Sequence, residues 1–182
     1  MTDLRNITLI SFGFFEQDLL TKVADSVKKE YPFNINFKEG HLDLSEYFDP
    51  VRRQYNGNNL LKIIDTSFAA SSDKTMGLFS VDLFIPILTY IFGQAFLKGR
   101  CGIASIYRLS NERYGIKKDE ELLLDRFRKE VNHELGHTFG LIHCHIPTCV
   151  MRSSTYVEDI DQKSWNLCPK CKDELDVILK AE

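Results

Sequence analysis

The sequence predicts a mixed α/β domain: a mainly parallel sheet with one antiparallel edge strand, a long helix carrying the reactive groups, and a small cysteine-rich C-terminal part stapled by metal. Three observations predict it. Runs rich in β-branched residues alternate with amphipathic stretches through the first half of the chain, a pattern that implies right-handed crossovers between parallel strands. Two further β-rich runs flank Lys98-Gly99-Arg100, a hairpin signature that puts one of them antiparallel at the sheet edge. Four of the five histidines and four of the five cysteines then fall between His133 and Cys171, so metal-ligand residue types concentrate in the last third.

Taken in order, Asn6–Phe12 (NITLISF) reads as a buried strand. Residues 16–31 carry Leu19, Leu20, Val23, Ala24 and Val27 on one face, a helix ended ahead of Pro32. Phe33, Ile35 and Phe37 alternate with polar residues as a second strand. Gln54-Tyr55-Asn56-Gly57-Asn58 is a turn signal, 60–68 a second helix and 76–84 a third strand. The edge hairpin covers 91–107. A long helix covers 119–141, begun by the charged, solvated run 117–121, and a short one covers 172–180; the pattern between them is irregular. The chain reads as one domain, with an N-terminal subdomain over 1–142 and a C-terminal one over 143–182.

With 182 residues, 43% hydrophobic and 27% charged, the composition is that of an ordinary globular protein. Its 23 basic and 26 acidic side chains leave a net charge of -3, which gives no footing for nucleic acid or an anionic membrane surface. The first residues lack the basic and apolar regions of a secretory leader. The apolar stretch over 78–96 is interrupted by Asp82, Pro86, Gly93 and Gln94 and falls short of a membrane span. A cytoplasmic monomer is the expectation, and in a reducing compartment grouped cysteines are metal ligands more often than disulfides.

His133-Glu134-Leu135-Gly136-His137 matches H-E-x-x-H. On a helix the two histidines stand ~40° apart, one turn from each other, so both imidazoles can reach one ion. Glu134 stands ~100° round from His133, near that ion rather than bound to it. Leu124, Phe127, Val131 and Leu135 form a core stripe on the other side, which leaves the histidines facing a cleft. The motif continues to Gly140 and His143. On a straight helix His143 would lie ~240° past His137, so a chain reversal is needed, and Gly140 can supply it because glycine adopts positive φ without steric cost. Three neutral imidazoles leave a fourth position open for water, the pattern of a catalytic zinc. Zinc there activates water and polarises a carbonyl, Glu134 carries the proton to the leaving amine, and amide hydrolysis best matches these parts.

Cys144-x4-Cys149 and Cys168-x2-Cys171 supply two well-separated thiolate pairs, a closed tetrahedral shell of the structural-zinc kind. Cys144 follows His143 directly, so fixing the second metal fixes the path that delivers His143 to the first. Cys101 reads as a buried strand residue, His41 has no assigned role, and His145 is an alternative to His143 that departs from the motif's spacing. A redox role for Cys168-Pro169-Lys170-Cys171 lacks the leading strand such a motif requires.

Together, His133, Glu134, His137, Gly140, His143, Cys144, Cys149, Met151, Cys168 and Cys171 resemble the signature of the archaemetzincins, a branch of the metzincin metallopeptidases. The signature runs from His133 to Cys171, and the stretch between Met151 and Cys168 departs slightly from the family's usual spacing. The resemblance implies a metzincin-like fold and two zinc ions per chain, one catalytic and one structural. It makes Met151 a hydrophobic floor beneath the catalytic zinc, and Gly93, Gln94 and Ala95 an edge strand that pairs with an extended peptide substrate. It also implies aminopeptidase-like action on short peptides. The competing reading is a non-catalytic peptide-binding or scaffold protein that keeps zinc for stability. Glu134 speaks against it, because a base has no task in a purely structural site.

Overall fold

The computed structural model describes residues 6–71 and 73–181. In chain order its first half comprises β1 (Asn6–Phe12), α1 (Gln17–Glu30), β2 (Asn34–Gly40), β3 (Phe48–Asp49), β4 (Gln54–Asn56), α2 (Gly57–Ile63) and β5 (Lys74–Phe79). There follow β6 (Leu83–Ile85), β7 (Leu88–Ile91), β8 (Gly93–Ala95), β9 (Cys101–Ser105), α3 (Glu120–Phe139), α4 (Val157–Gln162) and α5 (Pro169–Ala181).

Five strands make one sheet in the order β2-β1-β5-β9-β8, all parallel except β8, which pairs antiparallel with β9 at the edge. The expected hairpin is there, with Gly93 opposite Ala104 and Ala95 opposite Gly102. β1 is buried on both faces, which is why it reads as a continuous apolar run rather than an alternating one. Ile7 and Leu9 join a core with Val23 and Val27 of α1 and Phe127, Val131 and Leu135 of α3. Ile10 and Phe12 point the other way, into a second cluster with Leu60, Ile64 and Phe79. Met151, Ile160, Leu167 and Leu175 from the C-terminal part belong to the first cluster, so that part shares the core of α1 and α3.

The structure corrects several sequence expectations. Residues 76–84 are two strands in two sheets, because the chain breaks at Asp82, whose buried carboxylate accepts from Arg108 at 2.6 and 2.7 Å and from Gln54 at 3.2 Å. The supposed turn over 54–58 holds strand β4 and the start of α2, with the Asn56 side chain accepting from Asn59 N–H at 3.2 Å as its cap. These pieces build a small second sheet, β3-β4-β6-β7, that the alternation pattern did not reveal. The hairpin's first run likewise spans both sheets: Ile91 ends β7 and Gly93 begins β8. α4 lies in the stretch read as irregular, and α5 begins at Pro169, earlier than expected, so that it includes Cys171.

α3 begins where the sequence places it. Asp119 caps it, accepting from Leu122 N–H at 2.9 Å, and Gly140 ends it with φ 104°. Among the described residues no helix is long and apolar enough to cross a membrane.

Candidate metal centres and cleft

α3 delivers His133 and His137 one turn apart, and the left-handed turn at Gly140 brings His143 back toward them. The three rings sit with centroids 4.7, 5.3 and 5.0 Å apart, and one nitrogen from each lies within 4.8 Å of the others. The expected trio is thus brought together, while His145 and His41 lie outside it. Backbone carbonyls set the tautomers. His133 Nδ1 lies 2.7 Å from the Val150 oxygen and His137 Nδ1 2.8 Å from that of Leu141. Carbonyls only accept, so each Nδ1 carries the proton and each Nε2 offers a lone pair. The two Nε2 atoms are 3.1 Å apart. Two acceptors at that separation repel unless a cation lies between their lone pairs, and ~3.3 Å is the edge expected of a tetrahedral zinc with imidazole ligands. The donor set therefore fits a metal. Burial lowers the proton affinity of all three, His133 most of all, which keeps them in the neutral, ligating form.

Beside them lies a cavity of about 500 Å³. One wall is β7, Phe92 and β8, another is the segment 153–156, and His133, His137, His143, Glu130, Glu134 and Lys163 line it. Glu134 is 5% exposed, and its proton affinity is pushed well up by burial and then by its neighbour Glu130. Glu130 is raised by burial too, with Lys163 opposing. Close approach at two glycines builds this floor. A Cβ on Gly93 would come within 2.7 Å of Ile103 O and 2.8 Å of Glu130 Oε1 and Glu134 Cγ. One on Gly136 would overlap Met151 Sδ, so Met151 packs directly under the helix between the two histidines. Residue-by-residue reading of the sequence missed Glu130, Lys163 and the second wall. The one available signal was Glu130 itself, an acid one turn before Glu134 on the cleft side of the helix.

The four cysteines also converge, their Sγ atoms within 4.8 Å of one another. Cys144 and Cys168 are 3.9 Å apart and Cys149 and Cys171 3.8 Å, too far for a disulfide and close to the ~3.8 Å edge of a zinc–sulfur tetrahedron. Amide N–H groups of Ile146 and Cys168 point at Cys144 and Cys149 sulfurs, each at 3.4 Å, which suits thiolates. This set fits a metal as well. Cys101, buried in β9, stands apart; burial and Asp65, 3.5 Å away, push its thiol up to about 12. Short bonds join the two clusters: Val150 N–H donates to Asn166 O at 2.9 Å, Ser164 N–H to Thr148 O at 2.9 Å, and Cys144 N–H to Met151 O at 3.0 Å.

Residues 16–177 match the family described as Peptidase family M54. The chain belongs to this peptidase family. As an M54 member it is a zinc metallopeptidase with a metzincin-like mixed α/β fold, as the signature residues imply. Its relatives include the archaemetzincin of Thermococcus kodakarensis, 37% identical over 94% of this chain and 96% of that one. Among solved structures, the archaemetzincin of Methanopyrus kandleri is 31% identical with a TM-score of 0.86, covering 99% of this chain and 98% of that one. A zinc-dependent peptidase from Methanocorpusculum labreanum is 28% identical with a TM-score of 0.82, covering 93% and 100%. The M54 likeness covers the cysteine cluster as well as the helix, so the resemblance read from the signature alone extends over nearly the whole chain.

Proposed function

We propose that the chain hydrolyses short peptides, aminopeptidase-like, with Glu134 as general base at a zinc held by His133, His137 and His143, and with a second zinc held by Cys144, Cys149, Cys168 and Cys171 as a structural staple. The observation that carries this reading is the convergence of imidazole lone pairs, two of them aimed by the Val150 and Leu141 carbonyls, beside a cavity that also presents Glu134. Zinc bound there supplies a Lewis acid that acidifies water and polarises the scissile carbonyl.

The chain's own groups do the rest. Gly93–Ala95 offers the outer edge of β8 to an extended peptide, whose backbone then lies across the imidazoles. Glu134, its proton affinity raised by burial, takes a proton from the attacking water and returns it to the leaving nitrogen. Met151 under Gly136 and the Val150 carbonyl on His133 hold the imidazoles from below. Glu134→Gln tests the assignment: zinc content should be unchanged by elemental analysis while turnover falls ~10²–10⁴-fold. Wild-type turnover in that variant would remove Glu134 from the reaction. Zinc-loaded wild type that cleaves nothing in a broad peptide library would favour the scaffold reading.

A further inference from the structure

One buried acid in the cleft has no part in that mechanism. Glu130 lies one turn before Glu134 on α3, is 4% exposed and lines the same cavity. The buried acids outside the cleft are tied to protein donors: Asp82 to Arg108, and Glu30 to Asn166 at 2.6 Å and the Leu167 N–H at 2.9 Å. Among the described residues no Lys or Arg pairs with Glu130 in this way. Lys163, which also donates to the Arg152 carbonyl at 2.8 Å, acts on Glu130 through space, and the Glu134 side chain hydrogen-bonds to Glu130. Glu130 therefore lines the cavity beside Glu134 with no direct ion pair to a protein cation among the described residues, and the two acids outnumber Lys163 there.

Its place along a bound peptide follows from Glu134. The base must reach the leaving nitrogen, so the leaving side of the peptide lies where Glu134 meets β8, at Gly93. The opposite end of the hairpin is marked by Lys98, whose N–H donates to the His137 carbonyl at 2.8 Å. A peptide on β8 then runs antiparallel to it, and its first residue after the scissile bond passes Glu130. Beyond that point the Tyr90 hydroxyl donates to the Thr155 carbonyl at 3.0 Å, joining the two cavity walls and enclosing whatever side chain enters.

We propose that Glu130 makes this pocket selective for a cationic side chain, lysine or arginine, on the residue that follows the scissile bond. The proposal rests on the peptidase reading above. A buried carboxylate gains most from a charged donor, whereas an apolar side chain beside it displaces water and offers no donor in return.

Binding without turnover separates the proposal from its parent reading. Zinc-loaded wild type is titrated calorimetrically with three peptide hydroxamates that differ only in the side chain following the hydroxamate: lysine, norleucine or glutamate. The lysine compound should bind at least ~10-fold more tightly than norleucine, and glutamate weakest. Glu130→Gln should collapse the lysine-to-norleucine ratio toward one, while Glu130→Asp keeps part of it. Equal or tighter norleucine or glutamate binding in wild type overturns the proposal, as does a Glu130→Gln variant with the ratio intact. If none of the three binds, norleucine included, the peptidase site itself fails along with the proposal.

Discussion

The histidine and cysteine clusters sit within one chain segment of each other and are built from opposite materials. The histidines stand on a capped helix, their rings aimed by backbone carbonyls, beside a cavity of about 500 Å³ that leaves room for a substrate. The cysteines come from a stretch in which 141–156 contains no helix or strand, three of the four are buried, and none lines the cleft. The first cluster gets its geometry from the fold. The second lies in a segment that has little secondary structure of its own and packs into the α1–α3 core, where the proposed second metal would brace it. Because the segment 143–151 carries proposed ligands of both, the second metal would support the histidine site.

The largest effect should come from breaking the supporting side. Cys168→Ser with Cys171→Ser should cost several kcal/mol, a fall in Tm on the order of 10 °C, and should weaken zinc at the histidines ~10–100-fold in a chelator competition. An unchanged Tm would mean that the loop stands without its metal. Gly136→Ala attacks the shaped side. The new Cβ overlaps Met151, so ~1–3 kcal/mol of overpacking and a loss of activity are expected by urea denaturation and peptide assay.

Acidity should split the two clusters in metal-free, reduced protein. Burial lowers His133 and His137, so their folded values lie below the unfolded ~6.5, and stability present above that pH is lost as pH falls through it. Burial raises Cys171, so the stability it contributes is present below the unfolded thiol value of ~8.5 and is lost as pH rises past it. Urea midpoints should therefore fall toward both ends of the pH range; a midpoint that rises on acidification would remove the histidine side of the argument. The smallest effect concerns the cleft wall. Asp159 accepts from the N–H groups of Thr155 and Tyr156, both at 2.8 Å, and Asp159→Ala should cost ~1 kcal/mol while loosening that wall, seen as a raised KM.

Local signals made much of this legible. The β-branched run of β1, the three-and-four stripe of α3 and the Gly140 stop each report one element, and each appears in the fold as read. The two candidate ligand sets were legible because metal chemistry restricts residue type and spacing together. The second sheet was not legible, since β3, β4 and β6 are two or three residues long and owe their pairing to long-range partners such as Arg108 with Asp82. Lys163 was hidden for a related reason. It lies 30 positions from His133, and only the folded path of the chain after Met151 carries its ammonium to within 3.4 Å of His133 Nδ1.

Metal stoichiometry under graded chelation tests the two-cluster account most directly. Purified protein should contain two zinc ions per chain; a mild chelator should remove one from the open histidine site, abolishing hydrolysis while Tm stays nearly unchanged, and a strong chelator should remove the second with a fall in Tm on the order of 10 °C. One zinc per chain, or hydrolysis that survives removal of the first, would contradict it.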